Sequence, residues 1–416
     1  MVAEPVGWPA RGVGVRRRGP GADRQGVGVR VQESPAPARR VFVRTRPRTA
    51  LVLGAGGVLG AAWMTGALPA VQELLRCQVG EVDVLLGTSA GSVLAAALRC
   101  GVSIEEMIAY QHGEPVGPLA GIADIDGGPW PRPPKLRFGS PRLMMSALTA
   151  PHRTHPTVAA SAWLPVGRER HRGLHNMVQL LHAHAESHAR RAGSEPFQPA
   201  EPWPAQPESQ PAQPELQSTQ PESQAARPTA SDWFEHGQTW IVAVDYDSGS
   251  RTVFGRAGAP QASLADAVVA SCSIPGWYEP MVIGGRRYVD GGVRSSTSLG
   301  LLADAGIDEV CVLAPMASLV RDNPRKPHTR IERRMRALIT YSLQREVRAL
   351  RAAGMKVTVV TPGPEDLAVM GLNPMDPRRR AAVLETSLRT SPRTLASAGR
   401  QVAHLGPPRT HPPVKT

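Results

Sequence analysis

Aromatic residues are scarce in this 416-residue sequence, in which Phe, Trp and Tyr together make up 4%. Proteins that bind nucleic acid commonly combine basic stripes with aromatic side chains on which bases stack, and no such interleaving occurs here. The net charge of +13 is concentrated in residues 1–50, where eleven arginines outnumber three acidic residues. We therefore expect no nucleic-acid partner, and we expect this basic segment to suit anionic lipid headgroups.

Cysteines are also few, and none has the spacing of a metal-ligand set. The four of them lie apart in apolar surroundings, at Cys77, Cys100, Cys272 and Cys311. This usage is typical of reduced, buried thiols in a cytoplasmic protein. Two histidine pairs have the i,i+4 spacing of a helical metal site, but solvated helix surface is the favoured interpretation. These pairs are His171 with His175 and His184 with His188. We predict no metal site.

The longest uncharged run is interrupted by helix-breaking residues. It extends from Thr49 to Gln72, is long enough to span a membrane, and follows ARRVFVR at 38–44, which resembles a twin-arginine export signal. The run contains five glycines and Pro69. A buried strand, a glycine loop and a packed helix explain this composition better than export or anchoring does.

Composition also suggests how the chain is divided. Residues 1–48 are rich in Arg, Gly and Pro without apolar periodicity, which predicts a disordered arm. Three tandem seven-residue units, PAQPESQ, PAQPELQ and STQPESQ, occupy 204–224, and the proline in each excludes a coiled coil. We predict one domain over 49–400, a disordered insert within it over 194–230, and a disordered tail over 401–416.

Short apolar segments alternate with helical segments through the predicted domain. The segments ALVLGAGG, VDVLLG, EVCVLAP and KVTVVTP are predicted strands, and TWIVAVDYDSG with RTVFGR forms a predicted hairpin. Ser103 and Glu106 form a capping-box pattern at one helix start. Buried strands that alternate with helices indicate an α/β domain with a largely parallel sheet.

One serine lies between two glycines where a predicted strand gives way to a helix. The stretch Gly87-Thr88-Ser89-Ala90-Gly91 fits a strained turn that presents Ser89 as a nucleophile, because no Cβ fits beside so sharp a reversal. A plain turn with a helix N-cap would also use serine. The motif therefore needs partners elsewhere in the chain before it indicates catalysis.

An earlier strand ends in the glycine loop LGAGGVLG, residues 53–60. Successive N–H groups before a helix form an anion-binding geometry. The spacing of Gly54, Gly56 and Gly60 nearly fits a dinucleotide fold, but that fold needs an acidic residue at the end of the second strand. Here that strand ends in Leu85-Leu86-Gly87. The loop is therefore a candidate set of oxyanion donors, with tight packing alone as the alternative.

Acyl transfer needs a nucleophile, a base and oxyanion donors. None of the twelve histidines lies in a recognisable turn at the end of a strand after the elbow. The better base is Asp290 in YVDGGVRSS, because a short strand delivers the carboxylate and Gly291-Gly292 turn the backbone away. A second Asp-Gly-Gly, at Asp126, has no strand before it and is interpreted as a loop.

Taken together, these motifs resemble those of the patatin-like phospholipase family, which occur in the same order. Gly56-Gly57-Val58-Leu59-Gly60 is similar to the oxyanion loop, Gly87 to Gly91 to the G-x-S-x-G elbow, and Asp290-Gly291-Gly292 to the D-G-G/A motif. The segment ASCSIPGWYEPMVIGGRRYVDGG resembles the family's approach to its aspartate. The resemblance covers about 49–400 without the repeat insert.

The resemblance implies a three-layer α/β/α fold and a Ser89–Asp290 dyad that hydrolyses acyl esters of lipids. Ser89 would attack the carbonyl, Asp290 would assist its deprotonation, and N–H groups of Gly56, Gly57 and Val58 would hold the oxyanion. No metal or organic cofactor is implied. Leu59 stands where many members carry a basic residue, so phospholipid specificity is not carried over.

Several alternatives stay open at this point. A catalytically idle α/β module could bind lipid or a partner through the basic arm and the repeats. Residues 136–165 either line an acyl pocket, form a lid or belong to the core. The basic helix predicted at 329–353 either touches an anionic membrane or is solvated. We expect a lipid ester substrate and a cytoplasmic protein with peripheral contact at the inner face of the membrane.

Overall fold

The computed structural model describes residues 46–120, 135, 137, 139–150, 152, 154–192, 233–234, 237–320 and 327–403. Most of the predicted arm, the 194–230 insert and most of the predicted tail lie outside these residues, as does the Asp-Gly-Gly at Asp126. Arg48 is already held, since its N–H donates to Asp308 Oδ2 at 2.7 Å. The last helix extends to Ala403. The proposed domain limits stay predictions.

A single mainly parallel sheet forms the centre of the described chain. Its order is β5-β6-β3-β2-β1-β7-β8, with β4 paired to β3. The pairs β3–β2, β2–β1, β1–β7 and β7–β8 are parallel, whereas β4 and β6 run antiparallel to β3 and β5 antiparallel to β6. The strands are β1 Thr49–Leu53, β2 Val84–Thr88, β3 Gln238–Asp245, β4 Arg251–Phe254, β5 Met281–Ile283, β6 Arg286–Asp290, β7 Glu309–Leu313 and β8 Lys356–Val360.

Helices cover both faces of this sheet because its central strands are apolar on both sides. Leu51 and Leu53 of β1 pack into one core with α1, α2, α3, α6, α7, α9 and α10, and Val52 packs into a second core with α8. The helices are α1 Gly57–Leu75, α2 Ala90–Arg99, α3 Ile104–His112, α4 Pro141–Thr149, α5 Pro156–Ala162, α6 Arg172–Ala192, α7 Leu264–Cys272, α8 Pro327–Ala352, α9 Pro364–Met370 and α10 Arg380–Ala403. The expected three-layer α/β/α fold is confirmed.

The uncharged run from Thr49 forms β1, the glycine loop and α1. Among the described residues, α1 alone is long and apolar enough to cross a membrane by length and composition. Its Trp63, Met64 and Leu68 side chains are buried in the core, and Ser387 of α10 donates a 2.7 Å hydrogen bond to the Trp63 carbonyl. The helix is therefore a packed core element of this fold.

Several local predictions are confirmed. The β3–β4 hairpin is present, α8 ends just before Gly354, and Ser103 with Glu106 forms the expected capping box. Cys77 differs from expectation because it is half-buried, whereas the other three cysteines are buried. All four are free thiols.

Candidate active site

The turn after β2 holds Ser89 in a backbone conformation that is rare for a residue with a side chain. Its φ is 53° and its ψ is −122°, and such a conformation costs about 1–3 kcal/mol and persists only where its surroundings impose it. The Ser89 N–H donates to Ser271 Oγ at 2.8 Å, and the Ser89 carbonyl accepts from both the N–H and the hydroxyl of Ser92. These bonds on both sides hold the elbow in place.

The glycines of this elbow are required by space. A Cβ on Gly91 would lie 1.9 Å from the Leu53 carbonyl oxygen, and a Cβ on Gly87 would lie 2.5 Å from Ser92 Cα. The first residues of α2 thus lie directly against the end of β1, which brings Ser89 beside the loop that follows β1. Sequence alone predicted both glycines as part of a strained turn.

That loop offers N–H groups at the start of α1. The N–H groups of Gly54 and Ala55 donate to the carbonyls of Leu313 and Ser296. Across the described part of the chain, the N–H groups of Gly56, Gly57 and Val58 have no hydrogen-bond acceptor. Gly57 has a φ of +62°, and the positive end of the α1 dipole adds to the attraction for an anion.

Pro315 explains why the loop contains further glycines. A Cβ on Gly56 would lie 2.7 Å from Pro315 Cγ, and one on Gly60 would lie 3.2 Å from the same atom. A Cβ on Gly54 would meet the Leu313 carbonyl oxygen at 3.0 Å. The loop therefore packs closely against the segment that follows β7.

Asp290 ends β6 and begins a turn of 3-10 helix over Gly291–Val293. The Gly292 N–H donates to Asp290 Oδ1 at 2.7 Å, and the Asp290 N–H donates to the Ser273 carbonyl at 3.0 Å. Gly291 has no room for a side chain, because a Cβ there would lie 2.5 Å from the Val242 carbonyl oxygen. The two glycines thus let the chain turn immediately behind the carboxylate.

The structure brings Ser89 and Asp290 together, with the Ser89 hydroxyl close enough to the Asp290 carboxylate to favour its charged form. Both residues are buried, each with 5% of its surface exposed. Burial raises the pKa of Asp290 to about 6, against a smaller lowering by the nearby Ser89 hydroxyl and by the hydrogen bond from the Gly292 N–H. A carboxylate of this basicity can accept a proton near neutral pH.

Two residues to which the sequence assigned no role at the site support this pair. Ser271, near the end of α7, accepts from the Ser89 N–H and donates to the Val242 carbonyl at 2.6 Å. The neighbouring Cys272 lies with its thiol beside Ser89 and Ser92, and burial raises the pKa of that thiol. The segment ASCSIPG, already singled out for its resemblance, contains both residues.

His171 also lies at the site, so its interpretation as solvated surface is wrong. Its ring stacks on Tyr278 with centroids 3.6 Å apart, and its Nε2 is 2.9 Å from the Cys272 carbonyl. Burial lowers the pKa of His171 to about 4, so near neutral pH the ring is uncharged and its Nε2–H donates to that carbonyl. Sequence spacing gave no signal for the contact between His171 and Cys272, because it joins the residue before α6 to the last residue of α7.

The two histidine pairs do not form metal sites in the described residues. His175 bonds to Asp266 at 2.9 Å, away from the partners of His171. The rings of His184 and His188 lie 4.4 Å apart on the exposed surface of α6. No group of three or more His, Cys, Asp or Glu side chains that could hold a metal ion occurs within the described ranges.

A large apolar cavity opens beside Ser89. Its free space is about 990 Å³ including the open mouth. Its lining is mostly aliphatic and comes from α1, α2, α3, α6 and the segments after α7 and α9, including Val58, Ala61, Val93, Leu94, Ala97, Met107, Leu119, Leu174, Met177, Leu181, Ile274 and Met375. A cavity of this kind suits a long hydrocarbon chain, because each buried CH₂ group contributes about 0.8 kcal/mol.

One permanently charged side chain, Arg380, is found among the described residues of the cavity lining. Its Nε donates to the Gln111 carbonyl at 3.1 Å, and its guanidinium lies 5.4 Å from the Tyr110 ring centroid. Leu59, in contrast, is fully buried, and its N–H donates to the Pro374 carbonyl. The loop position that is basic in many patatin-like proteins therefore contributes no charge here.

Where the structure describes residues 136–165, none of them lines this cavity. Leu143 and Val158 form a separate small core with Tyr246. Met145, Leu148, Trp163 and Leu164 are largely exposed. The cavity is built instead by helices on the other side of the sheet, which sequence patterns did not connect.

A family model described as patatin-like phospholipase matches residues 144–303. The match includes Asp290 and begins after Ser89 and the glycine loop. The chain is also similar to two solved structures at 13% identity, each covering 85% of it: VipD from Legionella pneumophila and the type III effector protein ExoU. The TM-scores are 0.36 and 0.30, and the alignments cover 67% and 53% of those chains, so this chain spans about half the length of ExoU. Over residues 144–303, the sequence is therefore similar to the patatin-like phospholipase family.

Proposed function

We propose that this chain hydrolyses carboxylic esters of lipids, with Ser89 as nucleophile and Asp290 as general base. The observation that carries the proposal is the placement of the Ser89 hydroxyl beside the Asp290 carboxylate, next to an apolar cavity that Ser89 helps to line. The family match supports a lipid hydrolase in general terms. The dyad and the serine-esterase chemistry are our assignment to these particular residues.

The reaction proceeds in two halves in this proposal. Asp290 takes the hydroxyl proton as Ser89 Oγ attacks the ester carbonyl, and the negative charge on the carbonyl oxygen is held by N–H groups of Gly56, Gly57 and Val58. Asp290 then gives the proton to the leaving alcohol, and the acyl group stays on Ser89. A water molecule, deprotonated by Asp290, attacks the acyl-enzyme carbonyl. The bond between the acyl group and Ser89 Oγ then breaks, Asp290 returns the proton to Ser89 Oγ, and the fatty acid leaves.

A catalytically idle module that binds lipid or a partner is the second candidate. The apolar cavity alone would serve such a module. The elbow argues for catalysis, because a binding module has no need to hold Ser89 in a costly conformation beside a carboxylate with a raised pKa.

Fluorophosphonate labelling with peptide mapping tests the proposal. We expect an adduct on Ser89 in the wild type, none in Ser89→Ala, and normal labelling in Ser250→Ala, which removes an exposed serine hydroxyl. Hydrolysis of a nitrophenyl ester should follow the same pattern. Unchanged hydrolysis by the Ser89→Ala protein would exclude this site as the source of activity.

The proposal extends to where the protein acts. The four free thiols are typical of a reducing compartment, so the enzyme works in the cytoplasm and reaches lipid from that side. Fractionation of cells that express the full chain measures the compartment in which the protein lies. Comparing low and high salt measures whether it is attached to membrane by charge. Recovery only from an oxidising compartment would contradict this location.

A further inference from the structure

The helix α8 has an apolar face that the described part of the protein leaves exposed. Ile331, Met335, Leu338 and Tyr341, here termed the exposed stripe, are 61%, 62%, 73% and 61% exposed. Their spacing of four, three and three residues aligns them along one side of the helix. Helices of globular proteins normally turn such a stripe toward the core.

The core-facing side of α8 is a different set of residues. Leu343, Val347 and Leu350, all in its C-terminal half, are 6% exposed or less and pack against the sheet. The helix has 26 residues and is about 39 Å long, whereas β7 with five residues is about 17 Å long. The N-terminal half, which carries most of the stripe, therefore extends beyond the strands.

This projecting half lies at the edge of the sheet where the active site is. The strands β1, β2 and β7 are parallel, so β7 ends, at Leu313, on the same edge of the sheet at which Ser89 follows β2. Buried Arg336 of α8 donates to the Pro315 carbonyl at 2.6 Å, and Pro315 packs against Gly56 and Gly60 of the glycine loop. Arg336 faces inward from α8 toward Pro315 and the glycine loop. Its exposed neighbours Met335 and Leu338 place the stripe on the solvent side of α8 at the same level.

The charged side chains that the described part of α8 exposes beside the stripe are arginines. Arg334, Arg345 and Arg348 are exposed on α8. The two acidic residues of the helix are engaged with the protein, because Glu332 pairs with Arg336 and Glu346 accepts from the Leu299 N–H at 2.8 Å. An apolar stripe bordered by arginines is complementary to a bilayer surface that contains anionic lipid.

We propose that α8 docks on an anionic lipid bilayer through the exposed stripe and its arginines, which brings the Ser89 edge of the sheet to the membrane. The proposal rests on the proposed lipid-ester hydrolysis for its biological sense, but the docking itself does not require catalysis. The stripe would enter the headgroup region while the arginines contact lipid phosphates. Each arginine near such a surface strengthens binding by about fivefold.

Vesicle co-sedimentation of the full chain tests the docking. All proteins carry Ser89→Ala, so that the lipid stays intact and binding is measured independently of hydrolysis. The vesicles contain phosphatidylcholine alone or a mixture with phosphatidylglycerol. We expect binding only to the mixed vesicles, weakening with salt, and at least a tenfold loss in Leu338→Glu.

Val282→Glu is the matched control, because Val282 is 59% exposed on the edge strand β5 and the charge change is the same. It should bind as the parent does, and thermal melting of both variants checks folding. Equal binding by Leu338→Glu and Val282→Glu, or equal binding to both kinds of vesicle, would overturn the proposal. So would size-exclusion data in which the parent is a dimer that Leu338→Glu disrupts, because the stripe would then be covered by a second copy.

The outcome is distinguishable from failure of the proposed function. A protein that binds vesicles through Leu338 but never labels at Ser89 would keep the docking and lose the hydrolase. If the wild type labels at Ser89 but Leu338→Glu does not weaken vesicle binding, the proposed hydrolysis stands and the proposed docking is wrong.

Discussion

Ser89 faces two walls of opposite character. One, the polar wall, consists of the glycine loop over Gly56–Val58 and the Asp290 turn, and every part of it comes from a tight turn at a strand end. The other, the apolar wall, is the aliphatic lining contributed by several helices far apart in sequence. The polar wall positions individual atoms, whereas the apolar wall provides volume.

We therefore expect changes in the polar wall to affect the rate of the chemical step and changes in the apolar wall to affect substrate preference. Transition-state charge is stabilised by groups held at fixed positions, so damage to the polar wall should lower kcat. An apolar surface discriminates between substrates by about 1–3 kcal/mol for small changes in size. Damage to the apolar wall should therefore change the preferred chain length and leave the chemistry intact.

Asp290→Asn should have the largest effect, and activity and stability should move in opposite directions. Loss of the general base is expected to lower kcat by about 10³-fold. The raised pKa of Asp290 means that the folded protein holds its proton more firmly than the unfolded chain, in which the value is 3.8. Wild-type stability therefore falls as pH rises from about 4 to about 6 and stays lower above that range.

The neutral amide lacks this penalty of burying a charge. We expect Asp290→Asn to raise the free energy of unfolding by about 1–3 kcal/mol at pH 8, measured by urea denaturation, with little difference from wild type at pH 4. A variant that is less stable than wild type at pH 8 would show that the carboxylate is stabilising in the folded protein, contrary to its raised pKa.

Gly57→Ala should damage the polar wall less severely. A Cβ there would lie 2.8 Å from Met375 Sδ and 2.9 Å from the Pro374 carbonyl oxygen, at a φ of +62°, so the loop must shift. Misplacing one oxyanion donor lowers kcat by about 100-fold. Gly354→Ala is the matched control, since Gly354 has a φ of +89° with open space around it. It should cost about 1 kcal/mol of stability and leave kcat unchanged; equal losses of kcat in both would indicate general destabilisation.

The polar wall could be predicted from sequence because its parts are local. Ser89 and Gly91 are two residues apart, and Gly291 and Gly292 directly follow Asp290, so each motif specifies its own turn. The parallel strands that align these turns were also predictable, because their apolar segments alternate with helices. Ser271 was missed, because its hydroxyl reaches Ser89 across 182 positions of sequence.

The apolar wall could not be predicted, for a physical reason. Its residues have the same aliphatic character as core residues, and only the arrangement of α1, α2, α3 and α6 around the cavity leaves the space open. By composition, the hydrophobic segment 136–165 was an equally good candidate for an acyl pocket. In the structure, however, Leu143 packs into a separate small core and Leu148 is exposed. His171 was misassigned for a related reason. The i,i+4 spacing describes neighbours along α6, whereas the contacts of His171 are at and after the end of α7.

Filling the cavity tests the apolar wall directly. Ala97 lines the cavity two turns along α2 from Ser89, and Ala97→Phe would shorten the space available to an acyl chain. We expect the ratio of kcat/KM for a hexadecanoate ester to that for a butyrate ester to fall about tenfold. The butyrate ester serves as the internal control and should keep its rate. An unchanged ratio would mean that the acyl chain does not occupy this cavity.

The smallest effect is expected from His171→Gln, and it sharpens the assignment of the base. Glutamine can still donate to the Cys272 carbonyl, so activity should change by no more than about twofold. With its pKa near 4, His171 stays neutral across the range in which Asp290, with a pKa of about 6, loses its proton. Because the deprotonated carboxylate is the active form, kcat/KM should fall about tenfold per pH unit below pH 6. This acid limb should be the same in wild type and in His171→Gln; a limb that disappears or shifts by a full unit in the variant would transfer the titration from Asp290 to the histidine.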